Sequence, residues 1–600
     1  MLLTLDFETY FDVRCSLGKM TTMEYINDSD FKVHGASLKF DDEPAEWYPH
    51  EELTEALAQV DWDDTQLLCH NASFDGAVLA SVYGYVPQYY LDTSAMARGL
   101  YPGQSSSLAN TAIRMFPDDE AMRKGNDLGK SKGLHDLPPE IEEALANYCI
   151  QDSELTHAIW VKFKDQLPSS ELDLIDITTR MFTMPKMVLD RERLTAYMDT
   201  ERLTAEKLID DSGVEPEVLR SNPKFATYIQ EQLDLIVPTK KSPTTGEFIP
   251  ALGKNDAGFQ QLCAMYPEHQ KVWDARVAAK SRLAETRSQR FLNAANPDNT
   301  IGIPLRYYAA HTGRFGGSDK LNFQNMPRGS ELRKCLTAPK DHLIYVADLS
   351  NIEARMLAWL AEQADLLDQF RDGEDVYSSF ASTIYDRQIR KDNDPTERFV
   401  GKTAVLGLGY GMGWKKFQST LALGAAGPVV EVDDEKSWSI VNAYRSKFYR
   451  IPHLWKLCDS FLIDMLTGRS NYHKVVETER NRIRLPNGMS LYYENLQRSE
   501  QGFEFQSNRK QVYTYGGKIT ENIVQALSRI VVTDALIRIA YKRKDLHVCL
   551  TVHDEIVCVG PAEAADERMQ DIIDLMCIPP SWAEDPPLAA EGGYDSGYSK

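Results

Sequence analysis

Six hundred residues, 43% apolar and 26% charged, suffice for a large core and two or more domains, and exclude a disordered or fibrous chain. No run of about 18 uncharged apolar residues offers a membrane span, and nine scattered cysteines without a CxxC pair leave structural zinc and a disulfide framework unsupported. The net charge of −23 argues naively against nucleic acid, but binding depends on where charge sits, and clustered carboxylates can instead hold divalent ions.

The chain opens MLLTLDFETY, acidic at positions 6 and 8, without the basic-then-apolar layout of a signal peptide, so a cytoplasmic protein is expected. LLTLDFETY reads as a buried strand that puts Asp6 and Glu8 on one face at period 2, a pair suited to a hard cation. A second short strand, residues 66–69, leads into HNASFDGAVLASVYG, where Asp75 opens a helical segment carrying Val78, Leu79 and Val82. In a helix over about 140–160, Tyr148 and Asp152 stand four apart on one face. Taken singly, each of these is more often a solvated or helix-start residue than a ligand. A turn-prone seam, DQLPSS from Asp165, then sets a boundary.

Residues 170–300 read as mostly helical, with a polar loop at 238–248 and a basic helix from Ala275 bearing Arg276, Lys280, Arg282, Arg287 and Arg290. Basic helices are more often solvated faces, but tracking a duplex backbone is the functional alternative. In the Gly- and Asn-rich stretch 311–328, Arg314, Gln324 and Asn325 are of the kind that reach minor-groove acceptors. HLIYVADLSNIEARMLAWLAE is a strand then a helix, with Asp348 at the strand end and Glu353 one turn on.

In RFVGKTAVLGLGYGM, Arg398, Lys402, Leu406 and Tyr410 recur every four residues and would form one helical stripe. A core stripe would be apolar; this one opens with two cations and closes with a phenol, which suits a triphosphate. Gly401, Gly407, Gly409 and Gly411 would let another backbone or a base approach closely. Further on, RIRLPNGMSLYY is a hairpin turning at Asn-Gly, 514–536 is a helix that includes Gln525, and HVCLTVHDEIVCVG is a hairpin tipped by His553-Asp554-Glu555.

The order strand-DxE, NxxFD, YxxxD resembles the three motifs of the DEDD 3′–5′ exonucleases, in the subclass with tyrosine. The resemblance implies that Asp6, Glu8, Asp75 and Asp152 hold two divalent ions, which would stabilise attacking and leaving oxygens, and that Tyr148 orients the attacking water. HTGRF…QNMP, DLSNIE, RxxxKxxxLGxxYG and HDE resemble, in order, the motifs of family A DNA polymerases, in wording close to the bacteriophage branch. That resemblance implies an α/β protein: an RNase H-like exonuclease domain over 1–165, then a right-hand polymerase domain over 170–600. Within the latter the thumb falls at about 190–310, the palm at about 311–362 and 480–600, and the fingers at about 363–480.

It further implies that Asp348 and Asp554 hold the catalytic metals with Glu555 as an auxiliary acid. Arg398 and Lys402 would bind the triphosphate, with Tyr377 nearby, and Tyr410 would lie at the base of the nascent pair. Glu353 would crowd a ribonucleotide's 2′ position, His553 would touch the primer terminus, and Gln525 would face the template–primer minor groove. Leu406 departs from the usual aromatic, so sugar discrimination should differ. The implied cofactor is Mg2+, two ions in each active site, with Mn2+ as a substitute. The implied partners are primer–template DNA, dNTPs and, in replication, a helicase, primase or single-strand-binding protein. The rivals are a single-subunit RNA polymerase, opposed by Glu353 and by HDE rather than HDS, and a DNA-binding or repair nuclease with a non-polymerising carboxy-terminal half.

Overall fold

The computed structural model describes residues 1–599 except 126, 243–245, 425–426, 501 and 508–509. Its first sheet contains β1 (Leu2–Thr9), β2 (Val33–Phe40), β3 (Glu46–Pro49), β4 (Gln66–Cys69) and β5 (Tyr89–Asp92) in the order β3-β2-β1-β4-β5. β1 is central, antiparallel to β2 and parallel to β4, and five of its eight residues are buried, from both faces of the strand. Helix α1 (Ala72–Val78) follows β4 after Asn71, whose φ of 83° turns the chain sharply into the helix. Helix α2 (Pro139–Phe163) lies across β1 and β2.

One face of this sheet has its own core, built on Leu3, Leu5, Phe7, Leu38 and Leu53. Leu68, Leu91 and, on α2, Leu155, Ile159 and Phe163 instead join the large core that runs to Tyr598. Helix α3 (Ser169–Thr183) follows the Asp165 seam and serves both cores, with Phe182 in the first and Leu174 and Met181 in the second.

Helices Arg191–Ser212, Gln270–Lys280 and Leu283–Ala294 pack together next. The single basic helix expected from Ala275 is thus two helices broken at Ser281-Arg282. Arg276 is also not a nucleic-acid-facing cation. It is 1% exposed, donates to the Leu219 carbonyl and the Asn222 amide oxygen, and lies 4.7 Å over the Phe225 ring. The expected loop at 238–248 carries a small hairpin, Thr239–Lys241 with Phe248–Pro250, while its residues 243–245 lie outside the described ones.

The second large sheet is wholly antiparallel: β6 (His342–Leu349), β7 (His547–Val552), β8 (Glu555–Pro561) and β9 (Ala590–Asp595), ordered β7-β8-β6-β9. Helix α4 (Ile352–Ala361) leaves the end of β6 through Asn351, which has φ 54°. Helices α5 (Val376–Tyr385) and α6 (Pro395–Leu408) cross closely because a side chain at Gly401 would strike the Tyr377 carbonyl and Ala381. Helix α7 (Gly516–Lys542) packs on α4 behind the sheet. The stripe on α6 is one residue type shorter than its spacing implies: the helix stops at Leu408, Gly411 takes φ 84°, and Tyr410 sits in the turn between them.

Candidate active sites

The β7–β8 connection is two residues long, since Val552 pairs with Glu555. His553 occupies it with φ 56°, a left-handed conformation that costs a non-glycine residue about 1 kcal/mol or more and is tolerated where it serves a site. β8 also pairs with β6, and the Leu349 amide donates to the Asp554 carbonyl at 3.1 Å, so Asp348 and Asp554 arrive at one end of the sheet. Both line a cleft of about 700 Å3 that also exposes Arg314, Arg328, Glu353, Lys391, Arg398 and Lys402. Burial raises the Asp554 carboxyl, and Asp348 adds to the rise. Two acids brought to one end of the sheet and faced by cations can hold divalent metal and polyphosphate.

Arg398 reaches Asp375 through two bonds, Nε to Oδ2 at 2.6 Å and Nη2 to Oδ1 at 3.2 Å. Asp375 also accepts from the Tyr377 amide and the Ser378 hydroxyl at the start of α5. Burial alone would raise the Asp375 carboxyl, but these bonds outweigh it and hold it low. Tyr377 donates its hydroxyl to Asn351 at 2.6 Å and lies beneath the Arg398 guanidinium. Lys402, exposed, makes no ion pair among the described residues, and Leu406, 39% exposed, opens onto the same cleft. Arg314 pairs with Glu353, whose carboxyl burial raises against the pull of that arginine. Burial, with Glu353 nearby, pushes the Tyr410 phenol up.

The other expected residues divide. His553 lines the cleft. Gln324 donates to the Thr551 carbonyl at 2.8 Å, Gln525 accepts from Thr312, and Asn325 is exposed. Glu555, expected as an auxiliary acid, does not line this cleft. Its register places it in β8 rather than at the hairpin tip, and its carboxylate, 3% exposed, is consumed by Arg333 at 2.8 Å and the Tyr598 hydroxyl. Glu591, opposite Asp348 on β9, lines the cleft instead. Beneath the cleft, Arg529 on α7 pairs with Glu171 on α3, and Tyr307 and Asn487 donate to the same carboxylate.

At the first sheet, ligand atoms of Asp6, Glu8 and Cys149 lie within 4.8 Å of one another. Asp75 reaches them from α1, accepting from the Phe7 amide at 3.0 Å, while Tyr148 and Asp152 come from α2. Burial pushes Asp6 up to about 7, with Asp152 adding to it, and lifts Glu8 and Asp75 well above the usual carboxylate range. Asp152 also rises through burial, and its Oδ1 is buried without a hydrogen-bond partner. Crowded, desolvated oxygens with one orphaned acceptor fit a hard divalent cation. The Cys149 thiol donates to the Asp6 carbonyl at 3.2 Å, and burial pushes that thiol well above its usual range.

Sequence reasoning missed Lys124, Cys149, Asp375, Arg328, Lys391 and Glu591. Asp375 and Cys149 sit beside singled-out residues and were within reach; Lys124 lies in a loop with no local signature.

The fold defines the class. Over 100% of this chain it matches the POL domain of Pol1 from M. smegmatis, solved with DNA primer-template and dNTP, at a TM-score of 0.71 and 17% identity, covering 95% of that chain. The chain belongs to DNA polymerase family A, whose model matches residues 191–594. It is 24% identical to the DNA polymerase of Bacillus phage SP02 over 687 aligned positions, covering 100% of this chain and 99% of that one, as the phage-like wording led one to expect. The DNA polymerase I of Synechocystis is 26% identical over 59% of this chain, and that of Thermus filiformis 24% over 63%. The chain spans only 36% and 41% of those two longer proteins. No helix among the described residues is long and apolar enough to cross a membrane.

Proposed function

We propose that this family A DNA polymerase extends a primer 3′ end with dNTPs on a DNA template and proofreads with a separate 3′–5′ exonuclease site, in phage DNA replication. The observation that carries the reading is the pairing of β6 with β8, which sets Asp348 and Asp554 side by side opposite Arg398 and Lys402 in one cleft. In this reading residues 1–165 form the exonuclease domain, and 170–600 supply thumb, palm and fingers at the boundaries given above. Asp348 and Asp554 would hold two Mg2+ ions, or Mn2+ in their place, and Asp6, Glu8, Asp75 and Asp152 would hold two more. Bound there, such ions activate the attacking oxygen and offset charge on the leaving one.

The chain's own residues do the rest. Lys402 and Arg398 take the triphosphate, and Arg398, held flat by its two bonds to Asp375, needs little further ordering. Lys402 assists as charge builds on the leaving group. Glu353, fixed by Arg314, presents its carboxylate where a 2′-hydroxyl would intrude. Tyr410 packs under the nascent pair, His553 meets the primer end, and Arg314, Gln324, Asn325 and Gln525 follow the minor groove. In the exonuclease site Tyr148 orients the attacking water. A replication helicase, primase or single-strand-binding protein would be the working partners, in the host cytoplasm.

The test is extension of a 5′-labelled primer on a template with Mg2+. Wild type should lengthen the primer with dNTPs but not rNTPs, Asp554→Ala should only shorten it, and Asp6→Ala should only lengthen it. A wild type that shortens the primer under every nucleotide condition would overturn the assignment in favour of a nuclease.

A further inference from the structure

Lys124 approaches the amino-terminal carboxylates from outside the elements that carry them. The segment around it is clamped to α2: the Gln151 amide donates to the Arg123 carbonyl, and Gly125 lies so close to the Tyr148 ring that a side chain there would come within 3.3 Å of it. Thus anchored, Lys124 pairs with Asp152 Oδ2 while its Nζ rides 4.5 Å from the centre of the Tyr148 ring. Tyr148 and Asp152, both on α2, are therefore engaged by one ammonium group.

The compact ligand group is Asp6, Glu8 and Cys149, and Asp152 instead faces the lysine. One Asp152 oxygen is taken by Lys124 and the other is buried with no partner. A divalent ion that uses Asp152 must sit within a few ångströms of the ammonium. Like charges that close, with Lys124 only 26% exposed, repel strongly because little water intervenes.

We infer that Lys124 is a tethered counter-cation of this site, which a divalent ion must displace from Asp152 before the four carboxylates can act together. The inference rests on the exonuclease reading for what the site does, but not for its cation competition. It makes Lys124 a positioning residue that sets how much metal the site requires.

The test uses the full chain carrying Asp348→Ala and Asp554→Ala, to silence the other acid pair, with Mn2+ titrated calorimetrically without DNA. Asp6→Ala in this background identifies the binding that belongs to the amino-terminal site. Lys124→Gln should tighten that binding about tenfold or more, and Lys124→Arg, which can grip Asp152 with two bonds, should weaken it. In the chain with Asp348 and Asp554 intact, Lys124→Gln should also lower the Mg2+ concentration that half-saturates primer shortening. Mn2+ affinity that is unchanged or weaker in folded Lys124→Gln, or unchanged in Lys124→Arg, would overturn the inference. Tighter binding in Lys124→Gln without primer shortening by any variant would leave the competition standing and sink the exonuclease reading instead.

Discussion

Replacing Glu171 by alanine removes the acid that holds α3, α7 and the 482–492 hairpin together. Arg529 donates to Glu171 through Nη1 and through Nη2 at 2.8 Å, and its Nε holds the Gly313 carbonyl at 3.0 Å, next to Arg314. The two side chains are 4% and 2% exposed. Unit charges at that separation attract by about 6 kcal/mol at an effective dielectric of about 20. Desolvation of both groups offsets much of this in the intact pair, but Glu171→Ala leaves the guanidinium buried and uncompensated, which costs about 3–5 kcal/mol. Tyr307 and Asn487 lose their acceptor as well, and the losses overlap rather than add. The expected change is therefore about 3–5 kcal/mol, a large share of the ~5–15 kcal/mol that holds a folded domain. Urea unfolding of wild type, Glu171→Ala, Arg529→Met and Glu171→Met/Arg529→Met measures it. The double variant should recover at least half the loss, since no lone charge remains. Single variants that cost under about 1 kcal/mol, with no recovery in the double, would refute the argument.

Three further outcomes are expected. Leu406→Tyr should increase acceptance of dideoxynucleotides relative to dNTPs, and an unchanged selectivity ratio in competitive incorporation would remove Leu406 from sugar reading. Gly401→Ala should destabilise by about 1–3 kcal/mol and slow nucleotide addition, because the new methyl meets the Tyr377 carbonyl and forces α5 and α6 apart; an unaltered melting temperature would contradict this. His34, 5% exposed on β2, has its imidazole pushed down to about 4, by burial first and then by Lys32 and His135. As pH falls from about 6.5 towards 4, only the unfolded chain takes up that proton, so stability is lost across this window and retained above it. His34→Asn should flatten the fall in melting temperature between pH 7 and pH 5, and an identical slope would sink the assignment.

Much of both sites was legible because each motif is local. A period-2 strand makes DxE a pair, a four-residue helical spacing makes YxxxD a pair, and a two-residue turn between apolar runs makes His553-Asp554 a tip. These patterns depend on the residues themselves and their immediate neighbours, so the sequence alone determined which acids and cations are available and in what order. It also determined the family, since the polymerase motifs, from HTGRF to HDE, fall within the matched residues 191–594. What it could not determine is which partner each charge would meet. Arg276 reads as a surface cation but is buried against Phe225, and Glu555 belongs to Arg333 and Tyr598, not to the cleft. Arg398 is pinned by Asp375 from 23 positions away, and Lys124 comes to Asp152 from a loop. Such pairings are set by how helices and sheets pack at distances that local spacing does not encode, and burial, which gives these charges their altered proton affinities, exists only once that packing is made.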